Sequence, residues 1–482
     1  MAIANVDTQH PLYKQFQPEY KLVSRCVRGQ REIVKHAAEY VPRPEGWSDS
    51  RFKNFLMRGC FMNATARTLQ ALIGIAFAKA PAVQISGFDY LIEDCNGKGQ
   101  HISLLARDLL SETLKTARCG IFTDYTGMVE DGEQKVATQG RVVLRAFLAE
   151  QIINWRVVDG RLKLLVLKYT EQTETTDDDF ENYFVTKWIE LRMVDGVCHY
   201  RIWKFSISNP LGSGMLVGSE ATQVTALIPM RDKGGADLDH IPWSWCGSEN
   251  NDEIPDIPPL GDIAYLNIGH FIADLDMCDA ACIAGQPTIA VAGLTEVWAS
   301  KFYKNGVKIG GQEGLLLPTG GSLEIVQANE TNASSKICEV RETQMAKLGA
   351  RIIERQAGTR TATQATGEAQ TDNSILAQCA GNVEMCINRA LVEAEHFVTS
   401  GVGSITINKV YTPATFDSQG LVTIMAAVQS NLVTIEDFVR WTQNASIADS
   451  NETVEMIIGR LNAQKEMSSG VGGGVDDNDQ IS

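Results

Sequence analysis

Residues 240–249 read His-Ile-Pro-Trp-Ser-Trp-Cys-Gly-Ser-Glu, residues 258–270 read Pro-Pro-Leu-Gly-Asp-Ile-Ala-Tyr-Leu-Asn-Ile-Gly-His, and residues 284–293 read Ala-Gly-Gln-Pro-Thr-Ile-Ala-Val-Ala-Gly. No lysine or arginine occurs between Lys233 and Lys301, although acidic residues recur within that interval. A long segment without cations that leads into a strand-like run is unusual for an enzyme. It is suited to the wall of a passage along which a polyanion moves without binding.

Length and composition bound the class of protein. The 482 residues allow two or three domains, and the net charge of −16 argues against a protein that coats DNA through clustered cations. This charge is compatible with a protein that encircles DNA loosely. We expect no membrane segment and no signal peptide, since a long apolar run and a basic, apolar start are both missing. The eleven cysteines lack metal-binding spacing and indicate reduced, buried thiols from a cytosol-like compartment.

The first half of the chain is predicted to combine helices with a sheet. Residues 1–50 read as a polar, partly helical lead-in. Apolar residues at helical spacing predict helices over residues 51–79 and 101–118. Residues 141–205 change to β-rich runs, and the dipeptides Asp159-Gly160 and Asp195-Gly196 are typical hairpin turns because Asp and Gly tolerate positive φ. We therefore predict an antiparallel sheet in this region and an α+β fold class.

The second half is predicted to carry two helices around a short strand-containing segment, followed by a longer helix. The predicted elements are helices at 260–283, 295–304, 334–356 and 375–398, strands at 286–292 and 405–411, a loop at 357–374, and three short helices at 421–429, 435–442 and 452–467. The apolar stripe of the long helix comprises Ile375, Cys379, Val383, Ile387, Leu391, Ala394 and Val398. Thr434 is the predicted cap of one short helix. Residues 468–482, rich in Gly and Asp, are predicted to form a disordered tail.

No catalytic or cofactor-binding pattern is recognisable in the sequence. It lacks the GxxxxGK[ST] phosphate loop, HExxH, GxSxG and EF-hand motifs. No two of the seven histidines stand four residues apart. We interpret His199, His240 and His270 as packed or surface residues rather than bases or metal ligands. The sequence therefore predicts no enzymatic activity, no cofactor and no metal site.

Two of the predicted helices differ sharply in charge. The helix at 334–356 carries the cations Lys336, Arg341, Lys347, Arg351 and Arg355, whereas the helix at 260–283 carries only the acids Asp262, Asp274, Asp276 and Asp279. One interpretation is an ordinary charged helix whose cations pair with its own acids three and four residues away. The other is that some cations face an anionic neighbour, either DNA or the acidic helix of an adjacent subunit.

Several stretches, taken in order, resemble the short portal family of tailed bacteriophages, the ring that joins capsid to tail. They are residues 55–81, Gly-Ile-Phe-Thr-Asp-Tyr at 120–125, Gln-Ile-Ile-Asn-Trp-Arg at 151–156, Ile-Pro-Trp at 241–243, Gly-Ser-Glu-Asn at 247–250, residues 258–270, and Gly-Gln-Pro-Thr at 285–288. The resemblance implies a portal-like architecture. Its parts would be a β-rich wing (1–259), a two-helix stem (260–283 and 334–356), a small α/β clip (284–333), a tunnel loop (357–373), a long bent helix and strand of the wing (374–414), a short helical crown (415–467) and the tail (468–482).

The resemblance also implies a homo-oligomeric ring, usually of twelve copies, through which double-stranded DNA passes during packaging and ejection. Its location would be the capsid portal vertex of the virion, after assembly in the host cytoplasm. The implied partners are the packaging terminase, a tail adaptor protein and the major capsid or scaffolding protein, without a membrane. The stem helices carry too few apolar residues for an isolated hairpin, which favours burial against neighbouring copies. An acidic cytosolic enzyme with a β-rich substrate domain and another minor head protein remain alternatives.

The Thr- and Gly-rich loop after the second stem helix is the candidate DNA-facing segment. Its hydroxyl groups offer weak hydrogen bonds, and it contains a single cation that would contact phosphate. The candidates are Arg360, Thr361, Thr363 and Thr366. The alternative interpretation of this segment is a surface linker.

Overall fold

The computed structural model describes residues 5–126, 141–173, 183–205, 221–285, 288–302, 317–326, 333–353, 374–398 and 401–409, and also residues 411, 434, 436–437, 439 and 454–460. The chain divides into two compact units, Met1–Lys409 and Val410–Ser482. Helices and strands both contribute substantially, so the predicted α+β class is confirmed. No helix among the residues described is long and apolar enough to span a membrane.

Five helices open the first unit. They are α1 (Pro11–Arg28), α2 (Gln30–Lys35), α3 (Ala37–Tyr40), α4 (Asp49–Leu56) and α5 (Ala64–Ala76). The prediction of one continuous helix over residues 51–79 is wrong. The side chain of Asn63 accepts a hydrogen bond from Ala66 N at 3.0 Å and starts α5 anew. Gly59, between α4 and α5, lies so close to Leu275 that a Cβ there would stand 2.5 Å from Leu275 Cδ2. The break therefore lets the backbone pass against a distant helix.

Three further elements lead into the sheets: β1 (Ala82–Ser86), α6 (Tyr90–Glu93) and α7 (Ile102–Thr116). The strands that follow are β2 (Arg118–Thr126), β3 (Arg141–Leu148), β4 (Ile152–Val158), β5 (Arg161–Thr173), β6 (Tyr183–Val194), β7 (Val197–Phe205), β8 (Ala221–Gln223), β9 (Ile228–Pro229) and β10 (Trp243–Gly247). One sheet has the order β10-β2-β3. The other has the order β4-β5-β6-β7-β8, with β9 also paired to β7.

The predicted hairpin turns are confirmed. Asp159 and Gly160 have φ values of 51° and 69°, and Asp195 and Gly196 have 51° and 84°, so all four residues occupy the left-handed region that such turns require. The predicted antiparallel pairing of this region is also confirmed, with one correction. Strand β3 belongs to the three-stranded sheet, where it pairs with β2. The pairing partner β2 lies before residue 141, outside the region predicted as a sheet.

Apolar residues from both sheets share one core rich in tryptophan, which includes Trp155, Trp188 and Trp243. Arg118 is buried within it, with its guanidinium carbon 4.3 Å and 4.2 Å from the ring centroids of Trp155 and Trp245. Burial lowers the pKa of Arg118 to about 10. The two tryptophan faces supply attraction to a cation that has lost much of its hydration.

The rest of the first unit comprises α8 (Gly261–Ala284), β11 (Thr288–Ala292), α9 (Glu296–Phe302), β12 (Ser322–Val326), α10 (Ala333–Ile353), α11 (Ile375–Glu395) and β13 (Val402–Thr406). The predicted apolar stripe of α11 is confirmed, because its members from Cys379 to Ala394 are buried. The predicted strand over 405–411 is wrong in its bounds: β13 begins at Val402 and pairs antiparallel with β1. Asn388 of α11 fixes this strand by hydrogen bonds to both backbone groups of Ile405, at 2.8 Å and 3.0 Å.

The second unit is described at few positions. The Thr434 hydroxyl oxygen accepts a hydrogen bond from Asp437 N at 3.2 Å, which confirms Thr434 as a helix cap. Residues 454–460 are helical, within the helix predicted at 452–467. The other residues predicted as a crown at 415–467 lie outside the described residues, as does the tail at 468–482.

Candidate functional site: the α8–α10 helix pair

The helices α8 and α10 form an antiparallel pair, since α8 leads into β11 and α10 follows its antiparallel partner β12. The register of this sheet pairs Thr288 with Val326 and Ala292 with Ser322. Helices were predicted at 260–283 and 334–356, and the structure places them at Gly261–Ala284 and Ala333–Ile353. The pair and the segment that it carries correspond to the residues assigned by resemblance to a stem and a clip.

Polar contacts join the two helices along their seam. Arg341 of α10 donates a hydrogen bond to the carbonyl oxygen of Gly269 on α8. A Cβ at Gly269 would stand 3.0 Å from the guanidinium carbon of Arg341, so glycine makes room for the cation at this crossing. At the next residue of each helix, His270 Nε2 lies 3.1 Å from a carboxylate oxygen of Glu342. Arg341 therefore binds within its own chain rather than standing free for a neighbour.

Two of the four acids on α8 are bound by the preceding part of the chain. Asp279 is 7% exposed, and its carboxylate accepts hydrogen bonds from Arg58 and, at 2.7 Å, from Arg51. Asp274 accepts a hydrogen bond from Cys60 N at 2.7 Å. These contacts hold α4 and the segment after it against α8.

The remaining charges of the pair point outward. Asp262 and Asp276 on α8 are exposed, as are three cations of α10: Lys336, Lys347 and Arg351. Within the ranges that the structure describes, none of these three cations has an ion partner. Arg355 and the loop candidates Arg360, Thr361, Thr363 and Thr366 lie outside the described residues. The pairing of α8 acids with α10 cations of another copy stays a prediction.

The segment between the helices has no core of its own in its described part. No side chain within residues 290–302 and 317–324 is buried. On α9, Val297 is 76% exposed and Phe302 is 43% exposed, although the rings of Trp298 and Phe302 lie only 4.6 Å apart. Large apolar side chains are also exposed on the helix pair: Tyr265, Met277, Ile283, Ile337 and Val340. Such a concentration of exposed apolar groups marks a surface suited to burial against another protein.

A cluster that the sequence did not predict lies away from the helix pair and joins residues far apart in the chain. His240 Nε2 lies 2.6 Å from a carboxylate oxygen of Glu393, and His240 Nδ1 lies 2.8 Å from Asp239 Oδ1. The hydrogen bond with Glu393 is the main cause that raises the pKa of His240 to about 9, against the opposing effect of burial. The ring of His396 lies 5.4 Å from that of His240. The usable signal was Glu393-x-x-His396 at the end of α11, but His240 lies 153 residues earlier.

The other histidines singled out from the sequence have ordinary surroundings. His199 Nδ1 lies 3.0 Å from the carbonyl oxygen of Val197, two residues away. His270 is buried between the paired helices, as the interpretation of a packed residue predicts.

Comparison with known proteins gives a partial family match and distant structural similarity. A family model described as a domain of unknown function (DUF4055) matches residues 259–398, which is less than a third of the chain and extends from the start of α8 to the end of α11. No curated protein matches the chain.

Three similar solved structures are parts of gene transfer agent (GTA) particles. One, the virion of a native particle, is 13% identical and has a TM-score of 0.35, with 84% of this chain and 96% of that chain covered. The neck of an empty particle computed with C6 symmetry is 12% identical with a TM-score of 0.36, and the match covers 83% of this chain and 95% of that chain. The neck of a native particle computed with C12 symmetry is 12% identical with a TM-score of 0.33, and the match covers 83% of this chain and 95% of that chain.

Proposed function

We propose that the chain is a subunit of a structural ring at the head-to-tail vertex of a tailed-phage-like particle, that is, a portal. In this proposal α8 and α10 are the stem, residues 284–333 are the clip and residues 1–259 belong to the wing. The ring is a channel for DNA and a platform on which a packaging motor and then a tail adaptor dock. It has no enzymatic activity of its own.

The observation that carries the proposal is that the described part of the segment between the two helices, residues 290–302 and 317–324, contains no buried side chain. A two-stranded sheet is marginal in water without further cover, and α9 is only seven residues long. Yet this segment exposes Val297 and Phe302 rather than folding them inward. Repeated side by side in a closed ring, such segments would bury their apolar side chains against the neighbouring copies.

The charges of the helix pair support the same arrangement. The outward acids Asp262 and Asp276 lie on α8, and outward cations such as Lys347 and Arg351 lie on α10. In the proposed ring, α8 of one copy would face α10 of the next, so acids would meet cations at every seam. Each exposed pair contributes only about 0.2–1 kcal/mol, but the contribution recurs around the ring.

Low attraction for phosphate supports a channel for DNA. The chain has a net charge of −16, and no cation occurs between Lys233 and Lys301. A passing duplex would therefore meet few groups that release its counterions and hold it. We propose that the loop at 357–373 approaches the channel axis, where Arg360 would contact phosphate and Thr361, Thr363 and Thr366 would offer weaker hydrogen bonds.

Particle mass and shape test this function. The purified full-length chain should form particles of about 630 kDa for twelve copies of 52.8 kDa, and class averages of stained particles should show a central hole. A monomer or small oligomer without a hole, at every salt and protein concentration tried, would contradict the ring. Turnover of a nucleotide or other substrate that disappears on a single substitution would support the enzyme alternative instead.

A further inference from the structure

The cluster around His240 places three metal-binding groups within reach of one ion. The ligand atoms of His240, Glu393 and His396 all lie within 4.8 Å of one another. Glu393 is buried, His240 is half-buried and His396 is exposed, so the cluster opens to solvent on one side. Neutral imidazole and carboxylate are ordinary ligands of Zn²⁺ and of related first-row ions.

The surroundings of His240 orient it as a ligand. Its Nδ1 lies 2.8 Å from Asp239 Oδ1, which leaves Nε2 directed at Glu393. A carboxylate that accepts from the second ring nitrogen is the usual support of a metal-binding histidine, because it fixes the tautomer and raises the basicity of the ligating nitrogen. Glu393 and His396 are three residues apart at the end of α11, the spacing by which a helix presents a carboxylate and an imidazole to one ion.

We propose that His240, Glu393 and His396 bind a divalent transition-metal ion of the Zn²⁺ class, with the remaining coordination position open to water. The ion would replace the hydrogen-bonding proton between His240 Nε2 and the Glu393 carboxylate oxygen, and this proton would pass to solvent. These two atoms are 2.6 Å apart and need to separate only slightly. Its role is structural. It would tie the segment just before β10 to the C-terminal end of α11.

The link would reinforce a backbone contact that already joins the residues before β10 to the end of α11. Lys233 N donates a hydrogen bond to the carbonyl oxygen of His396 at 3.1 Å, which brings the same loop region to the helix end. Arg161 and Arg389 line a cavity of about 430 Å³ beside His240 and oppose a nearby cation electrostatically. Asp239 and Glu393 offset them, so the site carries two carboxylates against these two arginines.

Titration of the chelator-stripped, full-length chain with Zn²⁺ tests the site by isothermal calorimetry. We expect one Zn²⁺ per chain at this site, a raised unfolding temperature in its presence, and at least about tenfold weaker binding in His396→Ala and in Glu393→Gln. His396 is exposed, so His396→Ala leaves the bond between His240 and Glu393 in place and should fold normally. The matched control is His199→Ala, which should bind as the original chain does.

Cobalt spectroscopy separates this site from the eleven cysteines. Co²⁺ held by His and Glu gives visible absorption without the intense thiolate bands that a cysteine site produces, and this visible absorption should be lost in His396→Ala. Equal affinity for Zn²⁺ in the original chain, His396→Ala and Glu393→Gln would overturn the proposal. A Co²⁺ spectrum that shows only thiolate bands would also overturn it, because the ion would then be bound by cysteine. Neither result depends on whether the chain forms a ring.

Discussion

Asp279 offers a direct test of which α8 acids serve the fold and which serve assembly. It is 7% exposed and binds Arg51 and Arg58, whose side chains remain 34% and 29% exposed. Removing one partner from a buried ion pair costs about 3–5 kcal/mol, but water can re-solvate these two arginines, which lowers the cost. We therefore expect Asp279→Asn to lower the free energy of unfolding by about 2–3 kcal/mol. Asp276→Asn, on the exposed face of the same helix, should change it by less than about 0.5 kcal/mol.

Urea unfolding followed by tryptophan fluorescence measures this difference, at a protein concentration where all variants have the same oligomeric state. The midpoint should fall for Asp279→Asn with an unchanged slope, since the change acts on stability and not on the surface exposed. Equal midpoints for the two variants would refute the assignment of Asp279 to the fold. Unchanged stability of Asp279→Asn combined with lost assembly would show that Asp279 acts at the contact between subunits.

Three further results are expected. Gly120→Ala should destabilise the protein by about 1–3 kcal/mol, because the new Cβ would stand 2.2 Å from a buried tryptophan ring. Gly74→Ala in α5 has open space for the Cβ and should stabilise the protein by about 0.5–1 kcal/mol. Thermal or urea unfolding measures both changes. Burial opposes ionisation of Glu190, but hydrogen bonds from two arginines and a tryptophan lower its pKa from 4.5. The ionised carboxylate therefore stabilises the fold above pH 4.5, and this effect is lost as the pH falls through the lowered pKa. The difference in unfolding free energy between the original chain and Glu190→Gln should accordingly disappear in acid. The double variant Lys347→Ala/Arg351→Ala should dissociate from rings at a lower salt concentration than the original chain, as measured by light scattering. The same dependence of dissociation on salt in both proteins would show that these cations form no ion pairs between subunits.

The parts of the fold that the sequence predicted are those set by local pattern. The long periodic stripe of α11 and the Asp-Gly turns depend on neighbouring residues, so both could be read directly. The break at residues 57–63 depends on the contact of Gly59 with Leu275, more than 200 positions away, and no local pattern reports it. The strand β3 was assigned to the wrong sheet for the same reason, since strand pairing is a long-range property.

The candidate site shows the same division. The contrast in charge between α8 and α10 was visible in the sequence, but the partners of its members were not. Asp279 binds Arg51 and Arg58, which lie 228 and 221 residues earlier. The cluster of His240, Glu393 and His396 has no local signature of paired histidines, because the fold brings His240 to the end of α11 from a distant part of the chain.

Electron microscopy of the purified full-length chain tests the central claim most directly. A closed ring with an axial hole is predicted, with the segment between β11 and β12 forming a narrow collar at one end of the stem and contacting the same segment of the neighbouring copies. A ring in which this segment points to the outside and touches no neighbour, or a particle without an axial hole, would contradict the claim.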